Sequence, residues 1–182
     1  MDSRKVLFLD RDGTINVDKN YVYRIEDFEW VPGIFDLCRA ARKNGFELVV
    51  VTNQSGIARG YYTESEYQTL TSHMRASMVR NGTPLLDVLH CPCLDGFDRK
   101  PEPGMFLQAR DRWKIDMGRS ISLGDKERDV EAAIRAGVGY NVLLSSASPR
   151  SRADRVIADL HGMIPLLATD SPTSLNHEYS SH

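Results

Sequence analysis

Apolar residues along this chain follow two rhythms. Short unbroken runs such as VLFL and LVVV show no alternation and are strand-sized, whereas FDLCRAARK repeats its apolar positions at helical spacing. Taken in order, KVLFLD predicts a strand, GIFDLCRAARKNG a helix opened by Pro32 and closed by Gly45, and FELVVVTN a second strand. ESEYQTLTSHMRASMVRNG predicts a longer helix, with Thr63 as N-cap and Glu66 completing a capping box. LLDVLHC, SISLGD and YNVLL continue the strands, and PGMFLQARDRW and KERDVEAAIRAG the helices. ADRVIADL suggests a last strand and HGMIPLLA a last short helix.

Strands covered on both faces lose the in–out alternation of a half-exposed sheet, so unbroken runs between amphipathic helices mean a parallel sheet. The expected fold class is α/β: a three-layer, doubly wound, Rossmann-like domain with a mainly parallel sheet of about five or six strands. No internal repeat and no break in composition divides the chain, so residues 1–168 are expected to form one catalytic domain. The polar, aperiodic segment 169–182 is expected to be a flexible tail. Cys38, Met105 and Trp113 fall at helical spacing and are expected in the core.

Composition narrows the partners. The 182 residues are 41% hydrophobic and 26% charged with a formal net charge of −2, an ordinary soluble balance. Without a concentrated basic face, nucleic acid is not the expected partner. No apolar run approaches the roughly 20 residues needed to span a bilayer, so no membrane partner is expected either. MDSRK runs directly into the first strand and leaves no room for a signal peptide, so a cytoplasmic location is expected. A monomer or weak oligomer is expected. Three cysteines, Cys38, Cys91 and Cys93, are too few and too odd in number for a disulfide framework.

Four strands end in polar residues: Asp10 and Asp12, Thr52 and Asn53, Cys91 with the loop to Lys100, and Asp125. Each has a plain structural explanation as a cap, turn or solvated loop. All four at the carboxyl edge of one sheet is a different matter, because open α/β sheets bind ligands there. The residue types suit phosphoryl transfer. A carboxylate such as Asp10 can attack phosphorus and form an aspartyl-phosphate. Asp12 can give a proton to the leaving oxygen and later take one from water. Asp10 and Asp125 offer hard oxygen ligands to Mg²⁺, which would also offset the repulsion between crowded carboxylates. Thr52, Asn53 and Lys100 can hold the phosphoryl oxygens. Asp129, on the helix after Asp125, is a candidate partner for the metal or for Lys100, and Glu131 reads as solvated.

DRDGT, VVVTNQSG, RKPEPGMF and SLGDKERDVEAAIRAG resemble, in this order, the four motifs of the haloacid dehalogenase-type phosphatases, from about Lys5 to Leu144. DRDGTIN, TNQSGIARG and RKPEPGM are similar to the branch that contains heptose-1,7-bisphosphate 7-phosphatases and histidinol-phosphate phosphatases. The resemblance implies Asp10 as nucleophile, Asp12 as acid and base, and Mg²⁺ on Asp10, Asp125 and the Asp12 carbonyl. It further implies substrate contacts from Thr52, Asn53, Gln54, Ser55, Arg99, Lys100 and Lys126, with a small sugar phosphate as substrate. Loss of the 7-phosphate from a heptose 1,7-bisphosphate is the first expectation, and hydrolysis of histidinol phosphate or of another sugar phosphate the alternative.

Related phosphatases carry cap domains between these motifs, but here each gap holds only a loop, one helix and one strand. Specificity must then come from loops. Asp18, Lys19, Asn20 and Tyr21 offer groups that pair with hydroxyls, and Arg59 or Arg99 a bidentate clamp for a second phosphate. Relatives in the branch also carry a longer zinc-binding loop before R-K-P. Here HCPCLDGFDRKP keeps one Cys pair, with Gly96 and Asp98 in place of the second. A structural zinc wants four ligands. A zinc on Cys91 and Cys93 with His90 and Asp98 is therefore the lesser expectation, and a shortened loop with two free thiols the greater. A signalling receiver domain is excluded by order, because its phosphoacceptor ends the third strand and here Cys91 does.

Overall fold

The computed structural model describes residues 3–147 and 150–168; the predicted tail, 169–182, lies outside the described residues. Its strands are β1 (Lys5–Leu9), β2 (Phe46–Asn53), β3 (Asp87–Cys91), β4 (Ile121–Gly124), β5 (Tyr140–Leu144) and β6 (Arg155–Ile157). The helices are α1 (Ile34–Lys43), α2 (Glu64–Arg80), α3 (Gly104–Trp113) and α4 (Glu127–Arg135). Every strand pair is parallel, in the order β3-β2-β1-β4-β5-β6.

The unbroken apolar runs split by parity. Leu7, Leu9, Leu48 and Val50 enter one core with residues of α1, Met74 and Met78 of α2, and the C-terminal helical segment. Val6, Phe8, Val49 and Val51 enter the other with Met105, Phe106 and Ala109 of α3 and Ala132 and Ala133 of α4. Successive side chains of a strand point to opposite faces, so a run buried on both sides needs no polar positions. Cys38 is in the first core, Met105 in the second, and Trp113 packs partly buried against the second. There Trp113 donates to Asp87 at 2.8 Å.

Thr63 caps α2 as expected, its hydroxyl accepting from the Glu66 amide while the Glu66 carboxylate accepts from the Thr63 amide. The C-terminal elements are weaker than their patterns. The edge strand β6 spans only Arg155–Ile157 of ADRVIADL, and Leu160–Ala168 winds as a 3-10 helix with Pro165 inside it. Proline lacks the amide that an α-helical interior would use. A further single 3-10 turn, Ile25–Asp27, carries no core residue and has no periodic signal in the sequence. None of the described helices is long and apolar enough to cross a membrane.

The chain starts in the middle of the sheet, winds outward through β2 and β3, then returns to the far side of β1 with β4. That reversal leaves a crevice between the carboxyl ends of β1 and β4, where the helices diverge. Asp10 follows β1 and Asp125 follows β4.

Candidate active site

A cleft of about 300 Å³ opens at this edge. Its lining includes Asp10, Asp12, Thr52, Asn53, Gln54, Ser55, Arg99 and Lys100, with Asp18, Asn20, Tyr21 and Arg59 from the loops. Sequence reasoning named all of these. It missed two further lining residues, Tyr62 and Arg128.

At the floor, Lys100 is 2% exposed. Its Nζ lies 2.9 Å from Asp10 Oδ1 and 2.7 Å from Asp129 Oδ1, and donates to the Val51 carbonyl at 2.7 Å. Burial alone would push the ammonium down. The two carboxylates outweigh it and hold Lys100 above its ordinary value. Burial raises Asp10 to about 7; Lys100 opposes the rise, and Asp129 and Asp125 add to it. Ligand oxygens of Asp10, Asp125 and Asp129 lie within 4.8 Å of one another. Asp125 is also raised by burial, and its Oδ2 pairs with Lys126 Nζ at 2.9 Å. Its Oδ1 is buried and has no hydrogen-bond partner among the described residues, an unsatisfied acceptor that suits a cation. The donor set is hard oxygen, which fits Mg²⁺.

Asp12 is held quite differently. Arg11, 1% exposed, donates to both its oxygens, Nη2 at 2.9 Å to each and Nε at 3.2 Å to Oδ2. Asn16 Nδ2 donates to Oδ1 at 3.0 Å and Gln54 Nε2 to Oδ2 at 2.9 Å. The two crowded aspartates thus face different buried cations, Asp10 the Lys100 ammonium that it shares with Asp129 and Asp12 the Arg11 guanidinium. The sequence suggested a metal for this task and left Arg11 unassigned.

Other residues sit where sequence predicted but use their groups differently. Asn53 exchanges two 3.0 Å hydrogen bonds with the Lys100 backbone, clasping the lysine loop onto β2. Lys19 does not line the cleft: its Nζ pairs with Glu29 at 2.9 Å. Lys126 is spent on Asp125 and likewise does not line it. Asn20 and Tyr21 both take left-handed backbone, at φ 59° and 54°, and Asp18 accepts from the Asn20 amide at 3.0 Å. That turn sets the Tyr21 ring edge-on to Tyr61 at 4.7 Å between centroids. Arg99 donates to the Cys93 carbonyl at 3.0 Å. Glu131, expected to be solvated, is half-buried beside Arg135.

The zinc expectation finds no support in this geometry. His90 pairs with Glu64 at 3.1 Å and packs tilted against Tyr67, with 4.2 Å between centroids. Asp98 accepts from Gln108 at 2.7 Å. Among the described residues, the clusters of His, Cys, Asp and Glu able to hold a metal do not include Cys91 or Cys93.

The family described as polynucleotide kinase 3 phosphatase matches residues 5–160. D-glycero-alpha-D-manno-heptose-1,7-bisphosphate 7-phosphatase of Campylobacter jejuni is 46% identical over 78% of this chain and 83% of its own length. The chain belongs to the haloacid dehalogenase-type phosphatases, in the heptose-bisphosphate phosphatase branch. D-glycero-beta-D-manno-heptose-1,7-bisphosphate 7-phosphatase of Escherichia coli is 48% identical, over 79% of this chain and 80% of its own length. D,D-heptose 1,7-bisphosphate phosphatase from B. bronchiseptica, complexed with magnesium and phosphate, superposes with a TM-score of 0.80. That structure is 27% identical, covering 90% of this chain and 97% of its own. The chain is accordingly a phosphoric monoester hydrolase.

Proposed function

We propose that this phosphatase removes the 7-phosphate of D-glycero-D-manno-heptose 1,7-bisphosphate through an aspartyl-phosphate on Asp10, with Mg²⁺ as cofactor. The chemistry rests on one observation: Asp10, Asp125 and Asp129 converge within 4.8 Å at the floor of a polar cleft, with Lys100 on Asp10. The sugar is supported by the names of relatives 46% and 48% identical.

A carboxylate oxygen of Asp10 bonds to phosphorus as the bond from phosphorus to the sugar oxygen breaks, and Asp12 gives that oxygen its proton. Asp12 then takes a proton from the water that attacks the phosphorus of the acyl phosphate, which frees Asp10 and inorganic phosphate. Thr52 would hold a phosphoryl oxygen. The three donors of Lys100 are taken by Asp10, Asp129 and the Val51 carbonyl. Lys100 would turn one of them from Asp10 to the phosphoryl group as Asp10 bonds to phosphorus. Asp10, Asp125 and the Asp12 carbonyl would hold the Mg²⁺, which when bound supplies positive charge to the transferring phosphoryl group. Arg99 and Arg59, joined by Arg128, offer guanidinium groups at the cleft for the second phosphate. Asp18, Asn20 and Tyr21 line the same cleft and would pair with hydroxyls of the polyol. The product would feed a nucleotide-activated heptose for surface polysaccharide, made in the cytoplasm by a monomer or weak oligomer.

Phosphate release is the test. The panel contains both anomers of the heptose bisphosphate, histidinol phosphate, simple sugar phosphates and a 3′-phosphorylated oligonucleotide. The highest kcat/KM is expected on a heptose bisphosphate. Faster turnover of histidinol phosphate would overturn the sugar assignment, and faster turnover of the oligonucleotide would move the substrate to the class that the matched family's description names.

A further inference from the structure

Tyr62 is 4% exposed, lines the cleft, and has no place in the chemistry above. Its hydroxyl donates to Gln54 Oε1 at 2.6 Å. Gln54, 2% exposed, uses its Nε2 to donate to Asp12 Oδ2 and to Thr52 Oγ1, both at 2.9 Å. The backbone amide of Gln54 is fixed as well, donating to the Cys91 carbonyl at 2.7 Å. One side-chain amide therefore touches the acid–base carboxylate with one end and a tyrosine with the other.

The chemistry of the two ends differs. An amide oxygen only accepts and an amide nitrogen only donates. With the Tyr62 hydroxyl facing Oε1, the NH₂ group must face Asp12 and Thr52. Burial holds the Tyr62 phenol up at about 12, so it remains a donor at any working pH. The ring itself is seated for the task. It stacks on Tyr23 at 5.2 Å and 12°, and a Cβ on residue 56 would collide with it, so Gly56 admits it.

We propose that Tyr62 is a positioning residue that orients Asp12 through Gln54, holding the carboxylate toward the leaving oxygen. Removing the hydroxyl leaves Oε1 buried without a donor, and Gln54 then gains by turning toward water and leaving Asp12. This inference rests on the acid–base role of Asp12 proposed above, and the experiment separates the two.

Proton donation matters most when the leaving group is a poor one. Tyr62→Phe keeps the ring and deletes the donor. Its kcat/KM is compared with wild type on p-nitrophenyl phosphate, whose phenolate leaves unaided, and on the best alkyl phosphate of the panel. The expected loss is on the order of tenfold on the alkyl phosphate. On p-nitrophenyl phosphate it is less than about twofold, because that leaving group needs little proton transfer. Gln54→Met should show the same selectivity, and the double variant should be no worse than Gln54→Met alone, because Tyr62 acts only through Gln54. Equal losses on both substrates, or additive losses in the double variant, would overturn the relay. Asp12→Asn is the reference. If it too lacks leaving-group selectivity, the acid–base role falls and the relay with it. If it is selective and Tyr62→Phe is not, only the relay falls. Should Tyr62→Phe unfold, the selectivity of Gln54→Met decides.

Discussion

Asp10 and Asp12 are two residues apart and live in opposite surroundings. Asp10 sits over Lys100 beside two other carboxylates. Asp12 is gripped by Arg11, Asn16 and Gln54. Substitutions should therefore fail in different ways. Asp10→Asn is isosteric and removes the nucleophile, so turnover should fall by about 10³-fold or more with the fold intact, as circular dichroism and steady-state assay would show. Asp12→Asn should still bind phosphate and metal yet stall at proton transfer, with its deficit in kcat rather than KM. Near-normal rates for Asp10→Asn would end the covalent mechanism. The D-x-D pair was legible because carboxylates at a strand end are conspicuous. Arg11 was not, since an arginine between two acids in sequence looks like a solvated counter-charge. Its burial depends on the Val22 carbonyl, which accepts from Nη2 at 2.7 Å, and on the Tyr67 ring, 5.8 Å from its guanidinium carbon. Both partners are brought there by tertiary structure. Tyr62 and Arg128 were missed for the same reason, and Lys19, a basic residue in the same loop as Asp18, Asn20 and Tyr21, pairs with Glu29 rather than lining the cleft.

At the level of elements, the site depends on how closely the end of β1 approaches the end of β4. Gly13, at φ 87°, closes the turn after β1, and any Cβ there would run into the Asp125 carboxylate. Gly13→Ala pays twice, through a left-handed backbone that costs a β-carbon about 1–2 kcal/mol and through displacement of Asp125. The variant should be less stable by at least that amount. The Mg²⁺ concentration for half-maximal activity should also rise, because one ligand is pushed off its place. A stability loss with unchanged Mg²⁺ dependence would remove Asp125 from the ligand set. The strands and α1 to α4 were legible in the sequence, since unbroken apolar runs and helical periodicity are set by burial alone. The C-terminal elements were less so. Among the described strands β6 lies at the edge and pairs with β5, and Pro165 leaves the final helix without an α-helical amide.

Across the whole molecule, the sheet gathers four acidic side chains at one crevice, and Asp10 bears most of the cost. Its carboxyl lies near 3.8 when free and about 7 in the folded protein, because burial and the facing Asp129 and Asp125 outweigh Lys100. Between those values the unfolded chain has lost the proton that the folded protein keeps. Metal-free stability should therefore fall as pH rises from about 4 through 7, since a group with a raised folded-state value favours unfolding once the unfolded form ionises. Asp125, raised in the same direction, adds to the slope. A divalent cation reverses the balance by favouring both carboxylates as anions. Its stabilisation, about 2.7 kcal/mol at a hundredfold excess over Kd, should be greater at pH 8 than at pH 5, where protons compete for the same oxygens. Thermal unfolding with Mg²⁺ and with EDTA, at pH 5, 6, 7 and 8, measures this directly. The gap between the two curves should widen with pH, and Asp10→Asn should flatten most of the metal-free slope while narrowing the gap. A gap that stays constant across that range would mean that the cation binds elsewhere than at this cluster of carboxylates.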